Sequence, residues 1–172
     1  MTSEVRVRET APADDGFDCF VELFDQYRVH YGQTADVDRS RDWLTATTAG
    51  GPMRAFLASV QRAAAEPAPA GICLIAICPA SLTLGEFWMV RDLFVHPRWR
   101  RTGVAHALLD AVQAAARRRG ALRLSLQTEP ENTAALQLYE RHGFTPVTGA
   151  RHLTLDLTQP SRTHRRATRP AR

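Results

Sequence analysis

Leu93-Phe94-Val95-His96-Pro97-Arg98-Trp99-Arg100-Arg101-Thr102-Gly103-Val104-Ala105 is the stretch on which the reading of this chain turns. Leu93 to Val95 suit the end of a buried strand, Pro97 marks a turn, and Arg100 to Gly103 make a short polar loop. From Val104 the apolar residues recur at helical spacing. A helix N-terminus carries unpaired backbone N–H groups and a partial positive charge, so it is a ready seat for a phosphate. Gly103 has no Cβ to hold an anion away. The segment predicts a strand–loop–helix unit built to hold a pyrophosphate.

Working outward, Val104 to Arg119 carries the stripe Val104, Leu108, Leu109, Val112 and Ala115, with arginines against the helix dipole and Gly120 as the stop. On the N-terminal side, strands are predicted over 87–95, 71–78 and 53–60, joined by Gly- and Pro-bearing turns. Further back, 13–31 reads as an amphipathic helix opened by Asp14 and Asp15 and stopped by Gly32, and 38–48 as a shorter helix. Val5 to Arg8 alternates as a first strand. On the C-terminal side, 122–128 reads as a strand and 133–142 as a helix with Asn132 as N-cap and Gly143 as stop. His152 to Leu157 alternates as a last strand, with a further short strand expected around 144–147. Helices interleaved with strands and hairpins indicate an α/β (α+β) fold.

With 172 residues, 44% of them apolar, the chain is expected to form one domain over residues 1–160. Residues 161–172 are expected to be a disordered basic tail. No apolar run approaches the ~20 residues of a membrane span, and Met1 to Arg6 lacks the apolar core of a signal peptide. The expectation is a cytoplasmic protein. Every one of the 22 cationic side chains is arginine, and five lie in the last twelve residues, where no acid occurs. Without those five, the net charge of +4 becomes −1. The basic character belongs to the tail, so nucleic acid is not an expected partner of the body. Cys19, Cys73 and Cys78 show no ligand spacing, and no metal site is expected.

Two motifs, in order, resemble the GNAT superfamily of N-acetyltransferases. Arg100-Arg101-Thr102-Gly103-Val104-Ala105 fits its Arg/Gln-x-x-Gly-x-Gly/Ala loop. Asn132-Thr133-Ala134-Ala135-Leu136-Gln137-Leu138-Tyr139-Glu140-Arg141-His142-Gly143-Phe144 fits Asn-x-x-Ala-x-x-Leu-Tyr-Glu-x-x-Gly-Phe throughout. The likeness is strong over 87–157 and limited to element order over 1–60. It implies a mixed, mostly antiparallel sheet of six or seven strands flanked by about four helices. It also implies acetyl-CoA as co-substrate, its pyrophosphate on the backbone N–H groups of Arg101, Thr102, Gly103, Val104, Ala105 and His106 beside Arg100. The pantetheine arm would pair with the backbone of Leu93, Phe94 and Val95 on a bulged strand, and Asn132 would both cap its helix and touch CoA. Neither a P-loop lysine nor a Gly-x-Gly-x-x-Gly competes with this reading.

Acetyl transfer to an amine makes two proton demands. An alkylammonium of pKa ~10.4 must lose a proton, which costs about 4–5 kcal/mol at neutral pH, and the departing thiolate gains from a nearby acid. Tyr139 stands at the family's general-acid position. Asp92, before Leu93, is the first candidate base. Glu129 is the second, because Gln127 stands where a relative might carry glutamate and Glu129 would share its face on a continuous strand. His30 and Tyr31, ending the first helix, are candidates for the acceptor pocket, and Tyr27 is read as a core residue. The expected activity is transfer to a primary amine of a small molecule by direct attack in a ternary complex, from a possible homodimer. A protein or peptide acetyltransferase and a non-catalytic CoA-binding module stay open as alternatives.

Overall fold

The computed structural model describes residues 3–62, 66–149 and 151–158. Along the chain run β1 (Ser3–Thr10), α1 (Phe17–His30), α2 (Val37–Thr48), β2 (Met53–Arg62), β3 (Ala68–Ala80), β4 (Gly85–Val95), α3 (Val104–Arg118), β5 (Leu124–Leu126) and α4 (Thr133–Arg141). Short 3₁₀ turns at Ser81–Thr83 and Pro97–Trp99 join two of these elements to their successors. The strands form one sheet in sequence order, antiparallel throughout except for the parallel pair β4–β5.

Each face of this sheet buries its own apolar set. On one side α3 lays Val104, Leu108, Leu109 and Val112 over Phe56, Cys73, Ile75, Trp88 and Val90. Its close approach needs a small residue on β3: a Cβ at Gly71 would lie 2.8 Å from the Phe94 carbonyl oxygen and 3.0 Å from Val104 Cγ1. On the other side α1 and α2 bury Phe17, Phe20, Val21, Phe24 and Leu44 against Leu57, Ile72, Leu74 and Phe94. Alternation along β2 and β3 delivers these two sets, as period-two side chains must.

One irregularity in β4 matters most. Leu74 pairs with Asp92 but Ile75 pairs with Val90, so Arg91 is an extra residue on β4. A bulge of this kind exchanges the faces of everything beyond it. Trp88 and Val90 point to α3 before the bulge; Leu93 and Val95 do so after it, and Phe94 turns to α1. Asp92 turns with Phe94.

Several boundaries differ from those expected. The first helix starts at Phe17 rather than 13, because Asp14 organises the preceding turn: its carboxylate accepts from Ala11 N–H and its carbonyl from Phe17 N–H. The sheet has five strands among the described residues, not six or seven. No strand forms over 144–147 or 152–157, where Val147, Leu153, Leu155 and Leu157 are more than four-fifths exposed. Alternation alone does not make a strand; it needs a neighbouring ladder, and β5 is only three residues long. The proposed tail, 161–172, lies outside the described residues. No helix among those described is long and apolar enough to cross a membrane.

Candidate active site

Beyond the bulge, β4 and β5 part. Their pairing is confined to Trp88–Leu124, Met89–Ser125 and Val90–Leu126, while Leu93 to Val95 continue to pair with β3 alone. The backbone edge that would face β5 has no strand partner there, and the Val95 carbonyl accepts from Arg100 Nε instead. A cleft of about 570 Å³ fills the gap. Leu93 and Val95 line it from β4, Arg100, Arg101 and Gly103 from the loop, Val104, Ala105 and His106 from the first turn of α3, and Asn132, Leu138 and Tyr139 from α4 and its N-cap.

The loop is shaped locally. His96 Nδ1 accepts from Arg98 N–H, Thr102 Oγ1 donates to the Trp99 carbonyl at 2.7 Å, and Arg100 Nε donates to the Val95 carbonyl. Arg101 and Gly103 take left-handed backbone, φ 63° and 88°. A Cβ on Gly103 would meet nothing, so glycine is required there by conformation rather than by space within the chain. No side chain caps α3. The residues of its first turn line the cleft, and among the described residues no side chain caps their N–H groups, the arrangement in which a helix terminus takes an anion.

The opposite wall is α4. Asn132 Oδ1 accepts from Ala135 N–H, which fixes the helix start. Tyr139 is half-buried, with its ring edge-on to Phe144 at 5.8 Å. Its phenol is pushed up to about 12, first by burial and then by the neighbouring Cys73, Tyr31 and Glu129. It is thus a neutral O–H donor at any physiological pH. Below it, His142 ties α4 to α3: its Nε2 lies 2.9 Å from His106 Nδ1, its Nδ1 3.4 Å from Asp110, and its carbonyl accepts from Gln113. Burial lowers the His142 pKa, Asp110 partly opposing.

Tyr31 lines the cleft from α1, but His30 does not; it stacks at an angle on Tyr31 and Phe94 instead. Glu129 also lines the cleft, though β5 ends at Leu126, so Glu129 is held by the turn into α4 and not by a continuous strand. Phe94 and Thr102 are absent from the lining: Phe94 belongs to the core under α1 and Thr102 to the internal bracing of the loop. Asp92 is also absent. Its carboxylate lies behind Tyr27, whose hydroxyl donates to Asp92 Oδ1 at 2.7 Å. Tyr27 itself lines the cleft. The sequence hid this residue because it falls on the apolar stripe of α1; the only hint was a hydroxyl one turn before Tyr31. A second, larger cavity of about 1040 Å³ lies across α4, between α3 and β5, and lacks the loop. Among the described residues no group of three or more His, Cys, Asp or Glu is arranged to hold a metal.

Comparison with known proteins places the chain in a family and a fold. The family model described as Acetyltransferase (GNAT) family matches residues 17–144. The chain is 31% identical over 137 residues to the uncharacterized N-acetyltransferase YhfO of Bacillus subtilis strain 168, covering 78% of this chain and 87% of that one. A crystal structure described as "a probable acetyltransferase" superposes with a TM-score of 0.79 at 26% identity, over 90% of this chain and 99% of the other. An aminoglycoside acetyltransferase from an uncultured soil metagenomic sample, solved with sisomicin, shares the fold with a TM-score of 0.69 at 17% identity, over 89% and 96% of the two chains.

Proposed function

The chain belongs to the acetyltransferase (GNAT) family of acyltransferases, and on that premise we propose that it moves the acetyl group of acetyl-CoA to a primary amine of a small molecule, by direct attack in a ternary complex. The observation that carries the reading is the parting of β4 and β5 next to an uncapped helix terminus. Strand edge and loop suit the two polar parts of the donor. The open backbone of Leu93 to Val95 can pair with the amides of pantetheine as a further strand would. The N–H groups from Arg101 to His106, with Arg100 and Arg101 beside them, suit the pyrophosphate.

The thioester then lies toward Tyr139. As the amine's nitrogen bonds to the carbonyl carbon, the C–S bond breaks and the Tyr139 hydroxyl gives its proton to the departing sulfur. The Tyr139 phenolate takes back a proton from the N-protonated amide, leaving the neutral product and a neutral phenol. Asp92 is assigned as the base that accepts the other ammonium proton, with Glu129, exposed on the cleft wall, as second candidate.

A small-molecule acceptor is favoured by the compactness of the cleft and by its aromatic wall, Tyr27 and Tyr31, whose rings meet edge-on at 5.0 Å. Aromatic faces attract ammonium groups. The fold neighbour solved with sisomicin is compatible with that class. Thiol release from acetyl-CoA, measured against a panel of polyamines, amino acids and amino sugars, tests the reading, with mass spectrometry of products. Acetylation of at least one small amine is expected. Acetylation confined to peptides would transfer the function to the protein-modifying class, and CoA binding without thiol release would leave a non-catalytic module.

A further inference from the structure

We propose that Tyr27 takes the proton from the acceptor's ammonium and passes its own hydroxyl hydrogen to Asp92, so that a phenol–carboxylate relay serves as the base of this enzyme; the inference rests on acetyl transfer at the cleft described above. Three observations point to it. Asp92 does not reach the cleft, whereas Tyr27 does. The two are joined by a 2.7 Å hydrogen bond, with Tyr27 Oη as donor and Asp92 Oδ1 as acceptor. Finally, Tyr27 is held in place by rings on several sides: Phe24 at 6.1 Å, Phe94 at 6.0 Å and Tyr31 at 5.0 Å. A hydroxyl so positioned has a second lone pair for a donor arriving from the cleft.

The bulge at Arg91 makes the relay possible. Without the extra residue, position 92 would face α3 and the carboxylate would lie among apolar side chains away from Tyr27. The groups facing the pair are Tyr31 from α1, Cys73 from β3 and Arg91 from β4 itself. Cys73 is a neutral thiol, driven up by complete burial. Burial also raises the Asp92 carboxyl, with the Tyr27 hydrogen bond and Arg91 partly opposing. A raised carboxyl is a stronger base than an exposed one and holds the accepted proton better.

The step balances. The ammonium N–H bond breaks and its proton goes to Tyr27 Oη; the Tyr27 O–H bond breaks and that proton goes to Asp92. Tyr27 ends as it began, Asp92 becomes a neutral acid, and the acceptor becomes a free amine. No phenolate accumulates, which matters because burial and the Asp92 charge both push the Tyr27 phenol above its ordinary range. After product leaves, Asp92 releases its proton through the same hydroxyl.

The decisive experiment compares the unaltered protein with Tyr27→Phe and Asp92→Asn, using thiol release as the readout. Two acceptors are needed: an alkylamine that the unaltered protein acetylates, and its fluorinated analogue of pKa about 6, which enters as the free base at pH 8. With the alkylamine, kcat at neutral pH is expected to fall about 10²–10⁴-fold in both variants while KM for acetyl-CoA stays within about twofold. The kcat/KM of the unaltered protein should level off above the point at which Asp92 loses its proton. In the variants it should keep climbing toward the amine's own pKa of ~10.4. With the fluorinated amine the variants should regain most of the lost rate. The Phe ring retains the packing of Tyr27, and a thermal unfolding curve for each variant reports the fold separately. A Tyr27→Phe enzyme matching the unaltered one with the alkylamine overturns the relay alone. So does an equal loss with both amines. No thiol release from the unaltered protein with any amine overturns acetyl transfer and the relay with it.

Discussion

At the scale of single residues, the roles proposed for Tyr139 and Tyr27 differ because the surroundings of the two phenols differ. Both are half-buried and line one cleft. Among the described residues no carboxylate accepts a hydrogen bond from Tyr139, although Glu129 is near enough to act on its phenol; this suits the proposed donation to a leaving sulfur. Tyr27 already donates to Asp92, so its capacity on the cleft side is to accept. Replacing Tyr139 by Phe is expected to lower kcat about 10²–10⁴-fold and to leave CoA affinity, measured by calorimetry, nearly unchanged. The loop and strand edge that suit CoA do not involve the phenol oxygen. A large loss of CoA affinity would place Tyr139 in donor binding instead. The place of Tyr139 in the cleft wall is legible in the sequence because the motif fixes it on α4. That of Tyr27 is not: on a helical stripe, a core tyrosine and a cleft tyrosine have the same spacing.

At the scale of elements, the junction of α1 with α2 depends on a buried charge. Asp25 is 4% exposed, and it accepts from Ser40 Oγ, from Asp36 N–H and from Arg28, whose guanidinium is 2.7 Å away. Burial alone would raise its carboxyl; the donors from Ser40, Asp36 and Arg28 more than offset that and hold it below the ordinary range. Asp25→Ala removes the acceptor shared by Ser40 Oγ, Asp36 N–H and Arg28, leaves the half-buried cation only its contact with Ser40 Oγ, and is expected to cost about 3 kcal/mol, read from urea unfolding at pH 7. A cost below ~1 kcal/mol would mean that water replaces the carboxylate. Sequence reading found both helices from their periodicity and missed the tie, since an aspartate in a helix reads as a solvated residue. In the same way it gave β5 seven residues where three form, because the alternation continues past the point at which β4 diverges.

Across the whole molecule, the buried Asp25 and the half-buried Asp92 respond oppositely to pH. Asp25 has a lowered folded-state pKa, so its contribution is present above the unfolded value and disappears as pH falls through the folded one. Asp92 has a raised folded-state pKa, mainly from burial, so its ionisation works against folding and that cost grows as pH rises through the folded value. Asp92→Asn is therefore expected to raise Tm at pH 7 while reducing activity, and the difference in Tm should close as pH falls below the raised pKa. An equal or lower Tm at pH 7 would show that the amide loses more through unmet hydrogen bonds than the charge costs. Such an exchange of stability for activity is common where a fold holds a base away from water.

Read alone, the amino-acid sequence reveals the parts whose physics is local. A glycine at a left-handed N-cap, an uncapped helix start, an asparagine cap and a thirteen-residue helix pattern each act within a few positions of themselves. They carry the likeness to the acetyltransferase family and the donor site proposed for this chain. The proposed acceptor side depends on the tertiary structure. Whether Asp92 faces α1 or α3 turns on one extra residue in a strand, and its partner lies 65 positions earlier in the chain. Alternation cannot foresee a bulge whose register is set by the neighbouring strand β3, and helical spacing cannot tell which buried hydroxyl meets which carboxylate. That pairing exists only once the helix lies on the sheet.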